Sequence, residues 1–199
     1  GIDITHLAIA LMVNRLKDSF GYDLSPFEVL GVPMDVASAR ELAHQDRYHF
    51  EWWALSLVDA RPARDKKKGA DTGVDGLFYF YDDESGEPKK GIVQVKSGHV
   101  NVANIRDFKS VIDRERAAVG LFLTLEDPTE PMKKEAATAG FYEPKHFKGR
   151  AVPKLQIHTI ADLLTGRRPE LPRFAPSGTF KRAPRKEPDK KQQGKLFRD

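Results

Sequence analysis

The sequence predicts an α/β protein: a mixed β-sheet flanked by helices, with a helical extension before it and a disordered basic tail behind it. Three observations carry this. Apolar residues recur at helical spacing as far as about Val58, strand-like and helix-like segments then alternate, and the apolar pattern ends after Gly166.

Ile9, Met12, Val13, Leu16 and Phe20 lie on one face of a helix over residues 5–20, and Gly21 supplies its stop. Residues 21–34 hold Gly21, Pro26, Gly31 and Pro33 and form a connector. Asp35 or Ser38 then caps a short helix, with Ser38-x-x-Glu41 at capping-box spacing. Asp46 caps the next helix, where Phe50, Trp53, Ala54, Leu57 and Val58 form a stripe broad enough for a central core helix. Both tryptophans, Trp52 and Trp53, are read as packing residues.

Arg61 to Gly69 is a basic loop, after which the period changes. Leu77 to Tyr81 is aromatic and strand-like, Asp82 to Lys90 reads as a turn, and Gly91 to Lys96 is the partner strand of an antiparallel hairpin. Ile105, Phe108, Ile112 and Val119 space a helix, Leu121 to Leu125 is a buried strand, and Pro131 to Gly140 is a helix closed by glycine. Lys154 to His158 is the last strand, followed by a short helix ending near Gly166. The expected division is an N-terminal helical extension over 1–45, the main domain over 46–166 and a flexible tail over 167–199.

Composition narrows the function classes. Without cysteine there is neither a disulfide framework nor a thiolate zinc site, and the histidines show no HExxH spacing. No apolar run reaches membrane-span length and the N-terminus lacks a signal-peptide layout, so a cytoplasmic protein with no membrane role is expected. The net charge of +4 is unevenly placed: residues 167–199 hold 11 basic and 4 acidic residues, a net +7, which leaves −3 for residues 1–166. Charge alone therefore gives no argument that the folded part binds nucleic acid.

The stretch that carries chemistry is Gly69-Ala-Asp-Thr-Gly-Val-Asp-Gly76, followed across the hairpin by Gln94-Val-Lys96. Gln94 and Lys96 are two residues apart on a strand and share a face, and Asp75 leads into the neighbouring strand. A carboxylate, an amide oxygen and an ammonium can thus converge. Hard oxygen ligands of this kind suit Mg²⁺, with Mn²⁺ as a substitute. Lys96 could position or deprotonate a water, or offset phosphate charge. The same spacing also arises by chance, and a strand ending in lysine is often a core strand emerging into solvent. Asp71 is a second-choice ligand, since an acid in a glycine-rich turn commonly bonds its own backbone.

These residues resemble the active-site signature of the PD-(D/E)xK nuclease superfamily, in the branch of Mrr-like restriction endonucleases. The element order over about 46–164 is similar to that restriction-endonuclease-like fold. Phe50 to Leu57, Gln94 to Val100 and Ala136 to Tyr142 further resemble the region C-terminal to the methylase in some bacterial and phage site-specific DNA methyltransferases. The resemblance implies Asp75 as metal-binding acid, Gln94 as a neutral ligand through its amide oxygen, the Val95 carbonyl as a further ligand and Lys96 as the water-orienting base. Glu51 is the candidate for an additional helical acid. Glutamine in place of the second acid leaves one negative charge fewer, which puts metal affinity and two-metal chemistry in question.

Further candidates surround this centre. Lys66, Lys67 and Lys68 could neutralise DNA phosphates or stand only solvated, and His99 could meet a phosphate or be structural. The tail is either a nonspecific DNA tether or the carrier of Gln193-Gly-Lys-Leu196-Phe197, which resembles peptides that bind the bacterial sliding clamp. Neither a glycine-rich S-adenosylmethionine turn nor an Asn/Asp-Pro-Pro-Tyr loop occurs, so methyl transfer by this chain is excluded and a methyltransferase enters only as a partner domain or subunit. The expected function is Mg²⁺-dependent hydrolysis of phosphodiesters in double-stranded DNA, in restriction-modification or DNA defence. The rival is a noncatalytic DNA-binding or specificity module of a DNA methyltransferase.

Overall fold

A computed structural model describes residues 6–63, 72–82, 87–144 and 151–172. Lys66, Lys67, Lys68, Asp71 and the clamp-like Gln193, Leu196 and Phe197 lie outside the described residues, as does most of the tail.

Helix α1 (His6–Phe20) ends in a single 3₁₀ turn at Gly21–Asp23, and α2 (Val36–Gln45) and α3 (Arg47–Ser56) follow. Of the two candidate caps for α2, Asp35 is the one used. Its carboxylate accepts from Ser38 N at 2.7 Å and from Ser38 Oγ at 2.7 Å, and Ser38 Oγ accepts in return from Asp35 N. Ser38 is thus the third helical residue of the capping box, and Glu41 is not its partner. Asp46 caps α3 as expected, accepting from Tyr48 N and His49 N. Phe50, Trp53, Ala54 and Leu55 of α3 are buried, whereas Trp52 is 37 % exposed and meets His49 edge-on, so only one tryptophan is a core residue.

Strands β1 (Arg61–Pro62), β2 (Gly76–Phe80), β3 (Lys89–Lys96), β4 (Val119–Thr124) and β7 (Leu155–Thr159) form one sheet in the order β1-β2-β3-β4-β7. The first three are antiparallel, and β3, β4 and β7 run parallel. Every residue of β4 is buried, the pattern of a strand covered on both faces. One face packs against α2, α3 and α6 (Ile160–Leu164) through Val93, Val95, Leu121 and Leu123. The other packs against α4 (Val102–Arg114) and α5 (Glu130–Ala137) through Ile92 and Phe122.

Strand β1 falls where a basic loop was expected, and three further details depart from the sequence reading. Val119 belongs to β4, not to the preceding helix. The reason is at the end of α4: Ala117 N donates to Ile112 O and Arg116 N to Asp113 O, with Arg116 at φ +51°. This is a Schellman stop with arginine where glycine is usual. Lys89 and Lys90 begin β3 instead of closing a turn, and a small ribbon of β5 (Phe141–Tyr142) and β6 (Val152–Pro153) was not foreseen. That ribbon is tied to the end of β2 by Tyr142 OH, which donates to the fully buried Asp82 at 2.5 Å. On the far edge, Gln156 accepts from Glu170 N at 2.9 Å and donates to Glu170 O at 2.8 Å, fastening residues 167–172 to β7.

Candidate active site

Two cross-strand hydrogen bonds set the geometry. Asp75 N donates to Val93 O and Ala63 N donates to Asp75 O, both at 2.9 Å, so the Asp75 backbone is clamped between β1 and β3. Gly76 pairs with Val93, and Asp75 N donates to that same Val93 O, so Asp75 and Gly76 stand together against one residue of β3, a bulge at the end of β2.

Beyond Asp75 the chain leaves the sheet. The next ladder donor on β3, Val95 N, is taken instead by the Asp75 carboxylate, whose Oδ2 accepts at 2.8 Å. Backbone groups of alternate β3 residues serve opposite neighbours: Lys96 O accepts from Leu125 N beside β4, while Val93 O and Val95 N engage Asp75 beside β2. The Val95 carbonyl is therefore directed to the side that β2 has vacated, next to the Asp75 carboxylate.

Gly73 makes the departure feasible. Its φ is +72°, and a methyl group placed on it would lie 2.9 Å from Val111 Cγ2 and 3.6 Å from Gln94 Nε2. The loop therefore lies directly on α4 and on the Gln94 amide. Arg114 Nη2 donates to Thr72 O and fixes the loop from the end of α4.

A cavity of about 250 Å³ opens between this loop, β3 and α4. Gln94 and Lys96 line it from β3, Gly73 from the loop, and Asn104, Asp107 and Arg114 from α4. Gln94 is 7 % exposed, and its Oε1 is buried and accepts no hydrogen bond among the described residues. An acceptor left so costs about 1–3 kcal/mol unless something meets it. Lys96 is half-buried at the end of β3.

The fold thus brings Gln94 and Lys96 to the cavity and bonds Asp75 to Val95 N beside it, neither Asp75 nor Val95 being among the lining residues. It does not bring Glu51 or His99 to the cavity. Glu51 is buried in α3, which packs on the opposite sheet face with Val93 and Val95, and His99 is exposed in the loop between β3 and α4. Sequence reasoning missed the α4 contribution. Asn104, Asp107, Val111 and Arg114 recur at i, i+3, i+7 and i+10, a stripe beside the apolar one, and that spacing was the available signal.

The donors present can be tested against a divalent cation, which the PD-(D/E)xK type of nuclease typically uses. One carboxylate, one orphaned amide oxygen and one backbone carbonyl are all hard oxygens and fit Mg²⁺ or Mn²⁺, which need few protein anchors because they retain waters. Among the described residues no cluster of three or more His, Cys, Asp or Glu side chains stands ready as a metal cage. Any ion here is held with few charges.

A mixed five-stranded sheet flanked by helices, with this loop at the edge of β3, is a restriction-endonuclease-like α/β fold. The model of the restriction endonuclease family of the Mrr catalytic type matches residues 42–142, just over half of the 199 residues, and the chain belongs to that family. It is a nuclease domain, and DNA is the substrate class of its family. No curated protein matches the chain. Among the described residues no helix is long and apolar enough to cross a membrane.

Proposed function

We propose that this chain is a divalent-metal-dependent DNA endonuclease domain, with Asp75, Gln94 and Lys96 as its working residues. The observation that carries the reading is the Asp75 carboxylate held on Val95 N at the point where β2 leaves β3, next in the strand to Gln94, whose Oε1 has no hydrogen-bond partner among the described residues. Asp75, Gln94 Oε1 and the Val95 carbonyl would hold the ion. A divalent ion bound there lowers the pKa of a water and offsets phosphate charge. Lys96, from the same strand, orients the attacking water and offsets the charge that builds on the phosphoryl oxygens. Asp75 has a second task, since its bond to Val95 N keeps the carboxylate at the strand edge where DNA can approach. His99, exposed in the loop after β3, is assigned an outer role as a phosphate contact. Lys66, Lys67 and Lys68 precede the loop in sequence and are proposed to meet the DNA backbone.

The setting that fits a restriction-type nuclease is restriction-modification or DNA defence. The likeness of three strings to methylase-associated regions supports a methyltransferase domain or subunit as partner, and Gln193, Leu196 and Phe197 support docking to a sliding clamp. The reading is tested by incubating supercoiled plasmid with the protein and Mg²⁺ or Mn²⁺. Nicked or linear product that EDTA abolishes is expected. Salt-dependent DNA binding with no cleavage in either metal would instead identify a noncatalytic DNA-binding module.

A further inference from the structure

We propose that Asp107 is the second carboxylate of this centre, supplied from α4 because β3 carries glutamine where an acid would otherwise stand. The inference rests on the metal-dependent reading above and adds a residue to it. Three observations converge. Asp107 lines the same cavity as Gln94 and Lys96. It forms no ion pair or hydrogen bond among the described residues, although Lys96 and Arg114 line the cavity with it and Arg114 is turned to Thr72 O. Lining the cavity with it is a glutamine more than nine-tenths buried, with an amide oxygen that no donor meets among the described residues.

The size of the space indicates how Asp107 acts. The half-open cavity of about 250 Å³ has room for several waters. That is enough for a cation that keeps several of its own waters. Asp107 then holds the ion through its water shell, and Gln94 Oε1 faces the same shell or the ion directly. Its charge matters for the same reason. Asp75 alone would leave a divalent ion under-neutralised beside the ammonium of Lys96, and Asp107 restores the missing negative charge without a change on β3. The residue sits on a rigid helix whose N-terminus is fixed by the Asn101–Asn104 capping box. Asp107 is a positioning residue by this argument, not a group that touches the reacting atoms.

The test is Mn²⁺ binding to the full chain, followed by calorimetry and by the loss of free-Mn²⁺ electron paramagnetic resonance signal. Neither readout depends on DNA cleavage. Asp107→Asn is expected to weaken binding by about 10-fold or more, the size seen when outer-sphere partners of a metal are removed. Thermal unfolding without metal should stay at the wild-type value, because Asp107 is exposed and forms no hydrogen bond or ion pair among the described residues. Gln94→Glu combined with Asp107→Asn should return affinity to within about threefold of wild type, since it moves the missing charge onto the strand. Asp107→Asn with wild-type affinity, while Asp75→Asn abolishes binding, would overturn the inference and leave the metal reading standing. A wild-type chain that binds no Mn²⁺ by either readout would overturn both. Weakening by Asp107→Asn with Asp75→Asn unchanged would uphold Asp107 and overturn Asp75 as the anchor.

Discussion

Gly73→Ala puts the loop that carries Asp75 under two separate strains. An L-residue at φ +72° costs about 1–2 kcal/mol relative to glycine. The new methyl also arrives 2.9 Å from Val111 Cγ2, where ordinary contact begins near 3.4 Å. Valine is stiff at χ1 and cannot swing away, so the contact adds part of the roughly 1–3 kcal/mol typical of overpacking. A total near 2 kcal/mol corresponds to a fall in Tm of about 4–8 °C for a chain of this size. The strain can instead be relieved by lifting the loop off α4, which pulls Asp75 from Val95 N. Thermal unfolding and Mn²⁺ titration together detect either outcome: a lowered Tm, a weakened Mn²⁺ affinity, or both. Adding Val111→Ala separates the strains, because it removes the contact and leaves the backbone cost. The double variant should then be less destabilised than the sum of the singles. A Gly73→Ala protein with wild-type Tm and wild-type Mn²⁺ affinity would refute the assignment of Gly73 as the residue that lets the loop close on α4.

Other outcomes follow from the same structure. Tyr142→Phe removes the 2.5 Å donor to a fully buried carboxylate and should lower stability by about 1–3 kcal/mol in urea titration; an unchanged midpoint would show that Asp82 is satisfied without it. Arg116→Gly removes a left-handed arginine and should raise stability by about 1 kcal/mol, whereas a loss would mean that the arginine side chain contributes more than the strain costs. Burial holds the His158 pKa below its ordinary 6.5, with Asp162 opposing and Arg167 assisting. Above about pH 6.5 both states are neutral there, and below it the unfolded chain takes up a proton that the folded chain resists, so stability falls as pH drops. His158→Asn should flatten the fall of the urea midpoint as pH drops below about 6.5; a slope equal to wild type would assign the effect elsewhere.

Much of the frame is legible in the residue pattern because it rests on periodicity. The α3 stripe, the aromatic run of β2, the β-branched run of β3 and the buried run of β4 each announce an element. That one hairpin holds Asp75 and Gln94-x-Lys96 close together is also legible, since residues two apart on a strand share a face and the hairpin brings the Asp75 segment alongside, but the bulge at Asp75 is not. What escapes has no periodic signal. Strand β1 and the β5–β6 ribbon are two residues per strand, held by register and by Asp82, not by alternation. The end of α4 is hidden because the left-handed stop is an arginine, and without glycine the helical spacing runs on to Val119. Asp107 is hidden for a different reason: a charge on an exposed helix stripe reads as solvation until the loop at Gly73 is seen to close a cavity over it.

The central claim, that Asp75 and Lys96 carry phosphodiester hydrolysis, is tested most directly by the rate at which the full chain cleaves supercoiled plasmid in Mg²⁺ with each residue removed. Asp75→Asn and Lys96→Ala should each lower the cleavage rate by at least about 100-fold while DNA binding in Ca²⁺ or without metal persists. Cleavage by both variants at the wild-type rate would contradict it.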